Sequence, residues 1–409
     1  GRPYGFYKNA LGAWDYGDFT LAIDHVQADP YAPPSSLRAW STPEAMGLPE
    51  AALASSDARL AAADFIARSF DEAIRARGTR DVSIARAGAL ILQRSYATVL
   101  PDRVEVRFQV KLPARGRTIL GKSAARLFDV DVPNIVMDCF DFVSEDPDTT
   151  RKRSRLLGHV AAYEDYRALQ GILEERGWVS FVADDALLAR RSGVSEMPLT
   201  GDGVVAFGAP ESLRATVTLP HAGEVSGMAI PPGLTLIVGG GYHGKSTLLE
   251  TIAQGVYAHI PGDGRELVAT DPTATKVRAA DGRAVTGVDI SPFITHLPGG
   301  ADTTSFSTEN ASGSTSQAAS IIESLELGAR TLLIDEDTSA TNLLIRDTRM
   351  RDLVAAEKEP ITPLVDRVTS LTEAGVSLIM VVGGSGAFLD AADRVLMMDN
   401  YRCLDVTSR

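Results

Sequence analysis

The sequence has little cysteine and no long run of apolar residues. Cys139 and Cys403 are the two cysteines of the 409-residue chain, and they lie too far apart in sequence to build a disulfide framework or a zinc-ligand motif. The longest apolar runs, such as VSLIMVV at 376–382, are much shorter than a membrane span. The first residues show no signal-peptide series of charged, apolar and small residues. We therefore expect a cytoplasmic protein of a reducing compartment, without membrane insertion.

Positive charge is also scarce. The chain carries 40 Lys and Arg residues against 53 Asp and Glu residues, a formal net charge of −13. An acidic chain does not favour a polyanionic partner unless its basic residues are segregated. With 409 residues and 44% hydrophobic content, the chain is long enough for two domains with cores of their own. The loop around 191–202, with Gly193, Pro198, Gly201 and the adjacent Gly203, is our candidate boundary.

Basic residues are segregated in one segment, from Arg103 to Arg126. Its first ten residues, RVEVRFQVKL, alternate polar and apolar side chains, which predicts a half-buried β-strand. The segment contains seven Lys and Arg residues against Glu105 alone, a local charge of +6. Such a face suits a phosphate backbone, and the alternative is a solvated strand face neutralised by acidic neighbours. The candidate nucleic-acid-binding residues are Arg103, Arg107, Lys111, Arg115, Arg117 and Lys122.

The second half of the chain contains GLTLIVGGGYHGKSTLLETI at 233–252. An apolar strand is followed by the phosphate-binding pattern G-x-x-x-x-G-K-[ST] and then by a helix with an apolar stripe. In such a loop backbone N–H groups surround the β-phosphate, Lys245 reaches the β- and γ-phosphates, and Ser246 can bind Mg²⁺. A chance glycine-rich turn is the alternative, but strand, loop and helix occur in the required order. The candidate nucleotide-binding residues here are Gly239, Gly240, Gly241, Tyr242, His243, Gly244, Lys245, Ser246 and Thr247.

An acidic strand end follows at TLLIDE, residues 331–336. Asp335 stands where a strand end would meet Mg²⁺, and Glu336 is placed to orient or deprotonate a water molecule. An ordinary strand that ends in solvated carboxylates is the alternative. Together the two motifs predict ATP and Mg²⁺ as ligands and ATP hydrolysis as the reaction, with Lys245 and Glu336 as catalytic residues.

Between these motifs lies ENASGSTSQAAS at 309–320, a run of small and hydroxyl-bearing residues that opens into a helical pattern. It resembles the signature segment of ABC-type ATPases, with a glutamine slightly late at Gln317. In that family the segment meets the γ-phosphate bound by the opposite subunit, so the resemblance implies a head-to-tail homodimer around two ATP molecules. The residues it assigns to this contact are Ser312, Gly313 and Ser314. A simple serine N-cap is the alternative.

The resemblance extends to a narrower group, the predicted ATPases of the ABC class. It is carried by SFVADDALLARRSGVSEMPL, LLIDEDTSATNLLIRD and RFQVKLPARGRTILG, among other segments, and covers nearly the whole chain. It implies an α/β fold, a P-loop NTPase of ABC-ATPase type with an N-terminal α+β domain. We expect the N-terminal domain at 1–198 and the ATPase core at 199–409. Members of this group are associated with RNA and usually continue past the point where this chain stops, so we also expect a further C-terminal part.

Two departures from general ABC chemistry stand out. All six histidines precede Asp335, so the switch histidine of the family has no counterpart. Its place falls at GGSG, residues 383–386, where Ser385 is the candidate hydrogen-bond donor to a γ-phosphate. The coupling-loop glutamine is absent too, since Gln254 is the one glutamine between Lys245 and Ser312. Slow hydrolysis, or a nucleotide-gated clamp that seldom turns over, is the expected consequence.

Three functions remain open on the sequence. The first is an ATP-dependent dimer that controls nucleic-acid binding, with RNA favoured over DNA by the family association. The second is a transporter-type nucleotide-binding subunit, and the third is a P-loop kinase of a small metabolite. The kinase leaves the serine-rich segment unexplained, and the transporter subunit lacks the coupling glutamine.

Overall fold

The chain divides into two compact units. The first is Gly1–Glu164 with His259–Pro261, and the second is Asp165–Ala258 with Gly262–Arg409. The computed structural model describes residues 2–297, 299–346, 359–384 and 386–409. The change between the units falls inside the helix Pro147–Arg176, upstream of the loop in which the sequence places a boundary. The predicted division at residue 198 stays a prediction.

The first unit mixes short strands with helices, as expected for an α+β domain. Its strands are β1 (Gly12–Asp15), β2 (Thr20–His25), β3 (Ser35–Ser41), β4 (Val82–Ser83), β5 (Leu90–Ile91), β6 (Ala97–Val99), β7 (Val104–Val110), β8 (Ala114–Arg115) and β9 (Thr118–Ile119). Its helices are α1 (Pro43–Met46), α2 (Ser56–Arg77), α3 (Gly121–Arg126), α4 (Val132–Phe140) and the first part of α5 (Pro147–Arg176).

The main sheet of this unit is antiparallel, with strand order β1-β2-β3-β7-β4 and β6 also paired to β7. Strand β7 confirms the predicted alternation, because its valines and Phe108 are buried while Arg107 and Gln109 are exposed. Helix α2 covers the apolar face and brings Phe70 to Phe108, with ring centroids 4.8 Å apart. Burial of one face of the sheet leaves the polar face outside.

A buried charge lies under α2. Asp64 is 0% exposed, and its carboxylate accepts hydrogen bonds from Arg68 Nε at 2.7 Å and Arg94 Nε at 2.5 Å and contacts His159 Nε2 at 3.0 Å. Burial alone would raise the pKa of Asp64, but His159 and the Arg68 guanidinium outweigh it and lower that pKa to about 2. Burial also lowers the pKa of His159, against the opposite effect of Asp64.

We predict that acid destabilises this unit through Asp64. A carboxyl group whose pKa is lowered on folding stabilises the protein above its unfolded pKa, and that contribution, about 2 kcal/mol, is lost as the pH falls from about 4 towards 2. Asp64→Asn should remove this pH dependence and cost about 3–5 kcal/mol at pH 7, because it leaves the largely buried guanidinium groups of Arg68 and Arg94 without their carboxylate. Urea unfolding followed by circular dichroism measures both effects.

The control is Glu72→Gln, which breaks the exposed ion pair between Glu72 and Arg155. The Glu72 side chain is 44% exposed and the Arg155 side chain 51%. Exposed pairs contribute about 1 kcal/mol or less. Equal losses in the Asp64 and Glu72 variants would contradict the role given to the buried network.

The second unit contains the remaining elements in the described ranges. Its strands are β10 (Ser180–Ala183), β11 (Arg214–Leu219), β12 (Gly223–Ile230), β13 (Leu234–Val238), β14 (Ala258–His259, whose last residue belongs to the first unit), β15 (Val268–Thr270), β16 (Thr275–Val277), β17 (Val285–Val288), β18 (Phe306–Thr308), β19 (Thr331–Asp335), β20 (Ser377–Val381), β21 (Arg394–Asp399) and β22 (Arg402–Asp405). Its helices are the end of α5, α6 (Lys245–Gln254), α7 (Gly313–Glu326), α8 (Thr341–Leu344) and α9 (Val368–Glu373). Across the described ranges, no helix combines the length and the apolar content needed to cross a lipid bilayer.

The central sheet of this unit has the order β16-β19-β20-β13-β21-β22. The first five strands are parallel and β22 is antiparallel to β21. The strands β19 and β20 are buried at every position, as expected for a parallel sheet covered on both faces. A second, antiparallel sheet has the order β11-β12-β10-β15.

Helices α6 and α7 contribute to two different apolar cores in this unit. Leu332 of β19 belongs to the same core as Ile321 of α7. Its neighbour Leu333 belongs to the other core, with Leu248 of α6. Because successive side chains of a strand point to opposite faces, the sheet is sandwiched between the helix that follows the glycine loop and the helix that follows the serine-rich run.

Candidate functional site

The glycine-rich loop joins β13 to α6, as the sequence predicts. Gly239 has φ +137°, and a Cβ there would lie 2.3 Å from the carbonyl oxygen of Met398. Only glycine fits so close to a neighbouring backbone. The Lys245 ammonium group donates hydrogen bonds to the carbonyl oxygens of Gly239 and Gly240, both at 2.8 Å. The loop is therefore a compact turn with its lysine folded back over it.

The turn between β21 and β22 packs against this loop. Asn400 and Tyr401 both have positive φ, 49° and 66°, the conformation of a tight two-residue hairpin turn. The ring nitrogen Nδ1 of His243 accepts from the Asn400 N–H at 3.2 Å, and the His243 carbonyl oxygen accepts from the Tyr401 N–H at 3.1 Å. His243 thus joins loop and turn. Tyr242, next to it, is 99% exposed with φ +62°.

An apolar cavity opens beside the loop, which sequence reasoning missed. Its wall is formed by one segment that precedes the glycine loop, by the first turn of α6 and by the β21–β22 turn. The side chains that line it include Leu188, Leu199, Val205, Phe207, Thr247 and Tyr401. The sequence predicts a connecting loop around 191–202, and no periodic pattern there indicates the wall of a site.

Two carboxylates lie at the same sheet edge as the loop. Asp335 pairs in register with Val381 of β20, and Val381 pairs with Ile237 of β13. Parallel strands end at one edge, so Asp335, the glycine loop and the segment after β20 converge there. Asp335 is 5% exposed, and its Oδ1 accepts from the Asp337 N–H at 3.1 Å.

Glu336 contacts the segment after β20. Its Oε2 accepts hydrogen bonds from the backbone N–H groups of Gly383 at 2.5 Å and Gly384 at 3.1 Å. The sequence resemblance aligns these residues with the position of the switch histidine of ABC-type ATPases. Ser385, the predicted catalytic hydroxyl at this position, lies outside the described residues.

The hydroxyls of the serine-rich run have partners within the chain. Ser312 is the N-cap of α7, and its Oγ accepts from the Thr315 N–H at 3.4 Å. Ser314 Oγ donates to Asn342 Oδ1 at 2.7 Å. One hydroxyl therefore caps the helix, as the alternative reading of the sequence requires, and another binds the segment that follows Glu336.

Gln317 strengthens that link. It is fully buried; its Nε2 donates to Ser339 Oγ at 2.9 Å and its Oε1 accepts from the Ala340 N–H at 2.7 Å. Ser339 Oγ in turn donates to the Asp335 carbonyl oxygen at 2.8 Å. The glutamine that arrives late in the signature pattern thus ties α7 to the end of the acidic strand.

Comparison with known proteins places this arrangement in a family. A family model for the P-loop domain of ABC ATPases matches residues 152–409, and a model for the N-terminal region of ATPases of the ABC class matches residues 1–142. The chain belongs to the family of ABC-class ATPases. The predicted fold class, a P-loop α/β core of ABC-ATPase type with an N-terminal α+β part, is confirmed.

Individual relatives are more distant. An uncharacterized protein of Methanocaldococcus jannaschii is 29% identical over 249 residues, 58% of this chain and 54% of that protein. The chain thus spans about half the length of this curated relative. Among solved structures, the ADP conformation of an ATP-binding cassette of an ABC transporter has a TM-score of 0.30 at 14% identity, over 44% of this chain and 82% of that one. The cbiO1 protein of Clostridium perfringens, part of an ABC transporter complex, has a TM-score of 0.32 at 14% identity, over 56% and 87%.

The basic strand of this ABC-class ATPase is less positive than its sequence suggests. Glu105 is buried on the polar face of β7, where Arg103 and Arg107 bind it, the latter at 2.9 Å, and Arg38 of β3 approaches to 3.5 Å. Arg103 also lies over the Trp40 ring, 4.4 Å from its centroid. The strand arginines are thus held by a carboxylate and an aromatic ring.

The hairpin that follows β7 differs. Arg115 and Arg117 flank the tip of β8–β9 and are exposed. Within the described ranges neither has an ion-pair partner within 4.0 Å. Lys111 and Lys122 are exposed as well. The accessible positive charge of the segment therefore lies at the hairpin and its flanks.

We predict that Gln317→Ala destabilises the second unit. The substitution leaves the partly buried Ala340 N–H without its acceptor, which costs about 1–3 kcal/mol. Gln254→Ala on α6, which removes a partly exposed i to i+4 contact with Glu250, should change stability by about 0.5 kcal/mol or less. Urea unfolding of both variants measures the difference, and similar losses in the two would contradict the stabilising role given to the Gln317 hydrogen bonds.

Proposed function

We propose that this ABC-class ATPase binds ATP with Mg²⁺ and hydrolyses it slowly. The observation that carries the proposal is the convergence of three segments at one sheet edge: the glycine loop after β13, Asp335 and Glu336 after β19, and the amide-bearing segment after β20. In such an arrangement the loop binds phosphates and the strand-end carboxylates serve metal and water.

The residues present fit the nucleotide and its metal ion. Glycine is required where the loop is tightest, since a Cβ on Gly244 would lie 2.7 Å from the Tyr401 ring. The Lys245 ammonium group, held by loop carbonyls, is placed to exchange them for β- and γ-phosphate oxygens. Ser246 and Asp335 would hold Mg²⁺, which neutralises charge on the phosphates when bound. The apolar cavity beside Thr247 suits the base and ribose.

Glu336 is the proposed base. It accepts a proton from the water molecule that attacks the γ-phosphorus, and the bond to the bridging oxygen of ADP breaks. Family membership implies nucleotide hydrolysis, and the absence of any histidine after Asp335 leaves no imidazole to steady the γ-phosphate from that part of the chain. Slow turnover follows from that loss.

We further propose that two copies close around two ATP molecules. Helix α7 presents its N-terminus with the small residues Ser312, Gly313 and Ser314, and N–H groups at a helix N-terminus bind phosphate. A γ-phosphate held by the other copy would take the Ser314 hydroxyl from Asn342. That exchange reaches Glu336 through the segment 337–342, so closure and catalysis are coupled.

We predict opposite results for two substitutions in the site. Lys245→Ala should abolish ATP binding, because the loop loses its phosphate-facing cation. Glu336→Gln should keep ATP bound and accumulate the closed dimer, because binding survives while proton transfer is lost. Equilibrium binding of a fluorescent ATP analogue and size-exclusion chromatography with ATP measure the two effects.

Ser312→Arg is the control for the shared site. It places a bulky charge at the α7 N-terminus and should stop turnover while the P-loop still binds ATP. Turnover that persists in this variant would favour a monomeric kinase, and equal loss of binding in the Lys245 and Glu336 variants would contradict their separate roles.

We also propose that the N-terminal unit binds nucleic acid, with RNA favoured. The accessible basic residues at the β8–β9 hairpin support it, since exposed arginines without carboxylate partners are available to phosphates. In a dimer the hairpin is present twice, so that one strand can be contacted from two sides.

Charge reversal tests this surface. Arg115→Glu with Arg117→Glu should weaken binding of single-stranded RNA by tenfold or more and reduce the slope of its salt dependence by about 1 to 2, as expected for two lost phosphate contacts. Arg80→Glu with Arg86→Glu makes the same charge change elsewhere in the unit and should have a smaller effect. Filter binding at several salt concentrations measures both, and equal affinity in the two double variants would defeat the proposal.

A further inference from the structure

The two amides that hold Glu336 form an anion-binding pair. The N–H groups of Gly383 and Gly384 converge on a single carboxylate oxygen, and successive N–H groups arranged in this way bind anions in general. Both glycines are exposed. An added Cβ would meet Glu336 at no less than 3.8 Å and 3.5 Å respectively, so the carboxylate is held by hydrogen bonds and not by tight packing.

The amide pair lies between the glycine loop and the acidic strand end. Strand β20 separates β13 from β19 in the sheet, and the Val382 N–H donates to the Ile237 carbonyl oxygen at 3.0 Å. Gly383 follows Val382 directly, and the glycine loop begins two residues after Ile237. The two amides are thus held at the sheet edge next to the glycine loop. The carboxylate that they bind, Glu336, follows β19, the neighbouring strand on the other side of β20.

We propose that the Gly383 and Gly384 amides bind the third phosphate of the nucleotide, and that Glu336 occupies them when that phosphate is absent. This inference rests on the proposed ATP site. A terminal phosphate carries more negative charge than a carboxylate and offers three acceptor oxygens, so it displaces Glu336 from the shared donors. The displacement frees Glu336 Oε2 to accept the proton of water. Replacement of the Glu336 carboxylate by the third phosphate therefore makes release of the base depend on the presence of that phosphate.

Removal of one donor tests the pair by affinity alone. Gly383→Pro deletes the N–H with the shorter hydrogen bond, at a position just beyond the end of β20. A hydrogen bond to a charged group contributes about 1.5–3 kcal/mol, so affinity for the non-hydrolysable analogue AMP-PNP should fall at least tenfold. Affinity for ADP, which lacks the third phosphate, should change less than twofold. Gly383→Ala keeps the N–H and measures the effect of the added carbon alone.

Removal of the competitor gives the second test. Glu336→Ala should raise affinity for AMP-PNP relative to ADP, and the rise should shrink when Gly383→Pro is also present. Isothermal titration of the full chain with both nucleotides measures these ratios. If wild type binds both nucleotides but Gly383→Pro weakens them equally, or Glu336→Ala leaves the ratio unchanged, the inference is overturned and the ATP site stands. If wild type binds neither nucleotide, the proposed function falls and the inference with it.

Discussion

Parallel pairing of β13, β20 and β19 is the constraint on which the site depends. Their register sets the ends of the three strands at one edge, so segments far apart in sequence deliver a glycine loop, two carboxylates and two backbone amides to one place. Apolar side chains on both faces of the sheet hold that register, because a slip by one residue would turn each strand's side chains to the wrong core. The apolar cores therefore position the groups at the strand ends without contacting those groups directly.

A second constraint connects the site to α7. Gln317 and Ser339 form a buried chain of hydrogen bonds that ends on the backbone of Asp335. A buried polar chain of this kind is stable only when each member is satisfied. Gln317 and Ser339 therefore hold α7 against the carboxylate end of β19, next to Asp335 and Glu336.

Sequence reasoning reached the parts of this architecture that are local. Glycine spacing, a strand before it and a helix after it are contiguous, so the glycine-rich turn between β13 and α6 could be predicted, and alternation identified β7. The contact between Glu336 and Gly383 joins two loops whose meeting depends on strand order, which no local pattern encodes. Segment charge alone did not show which arginines remain accessible, because that depends on the contacts of Arg103 and Arg107 with the buried Glu105 carboxylate. The apolar cavity was missed because its wall comes from irregular segments that carry no periodicity.

The turn at Asn400 and Tyr401 brings β21 and β22 against the glycine loop, which lies much earlier in sequence. During synthesis from the N-terminus, the loop and α6 emerge long before the hairpin whose Met398 carbonyl and Tyr401 ring surround them. In a nascent chain the surroundings of the glycine loop are therefore incomplete until β21 and β22 have left the ribosome, so they form later than the loop motif is translated.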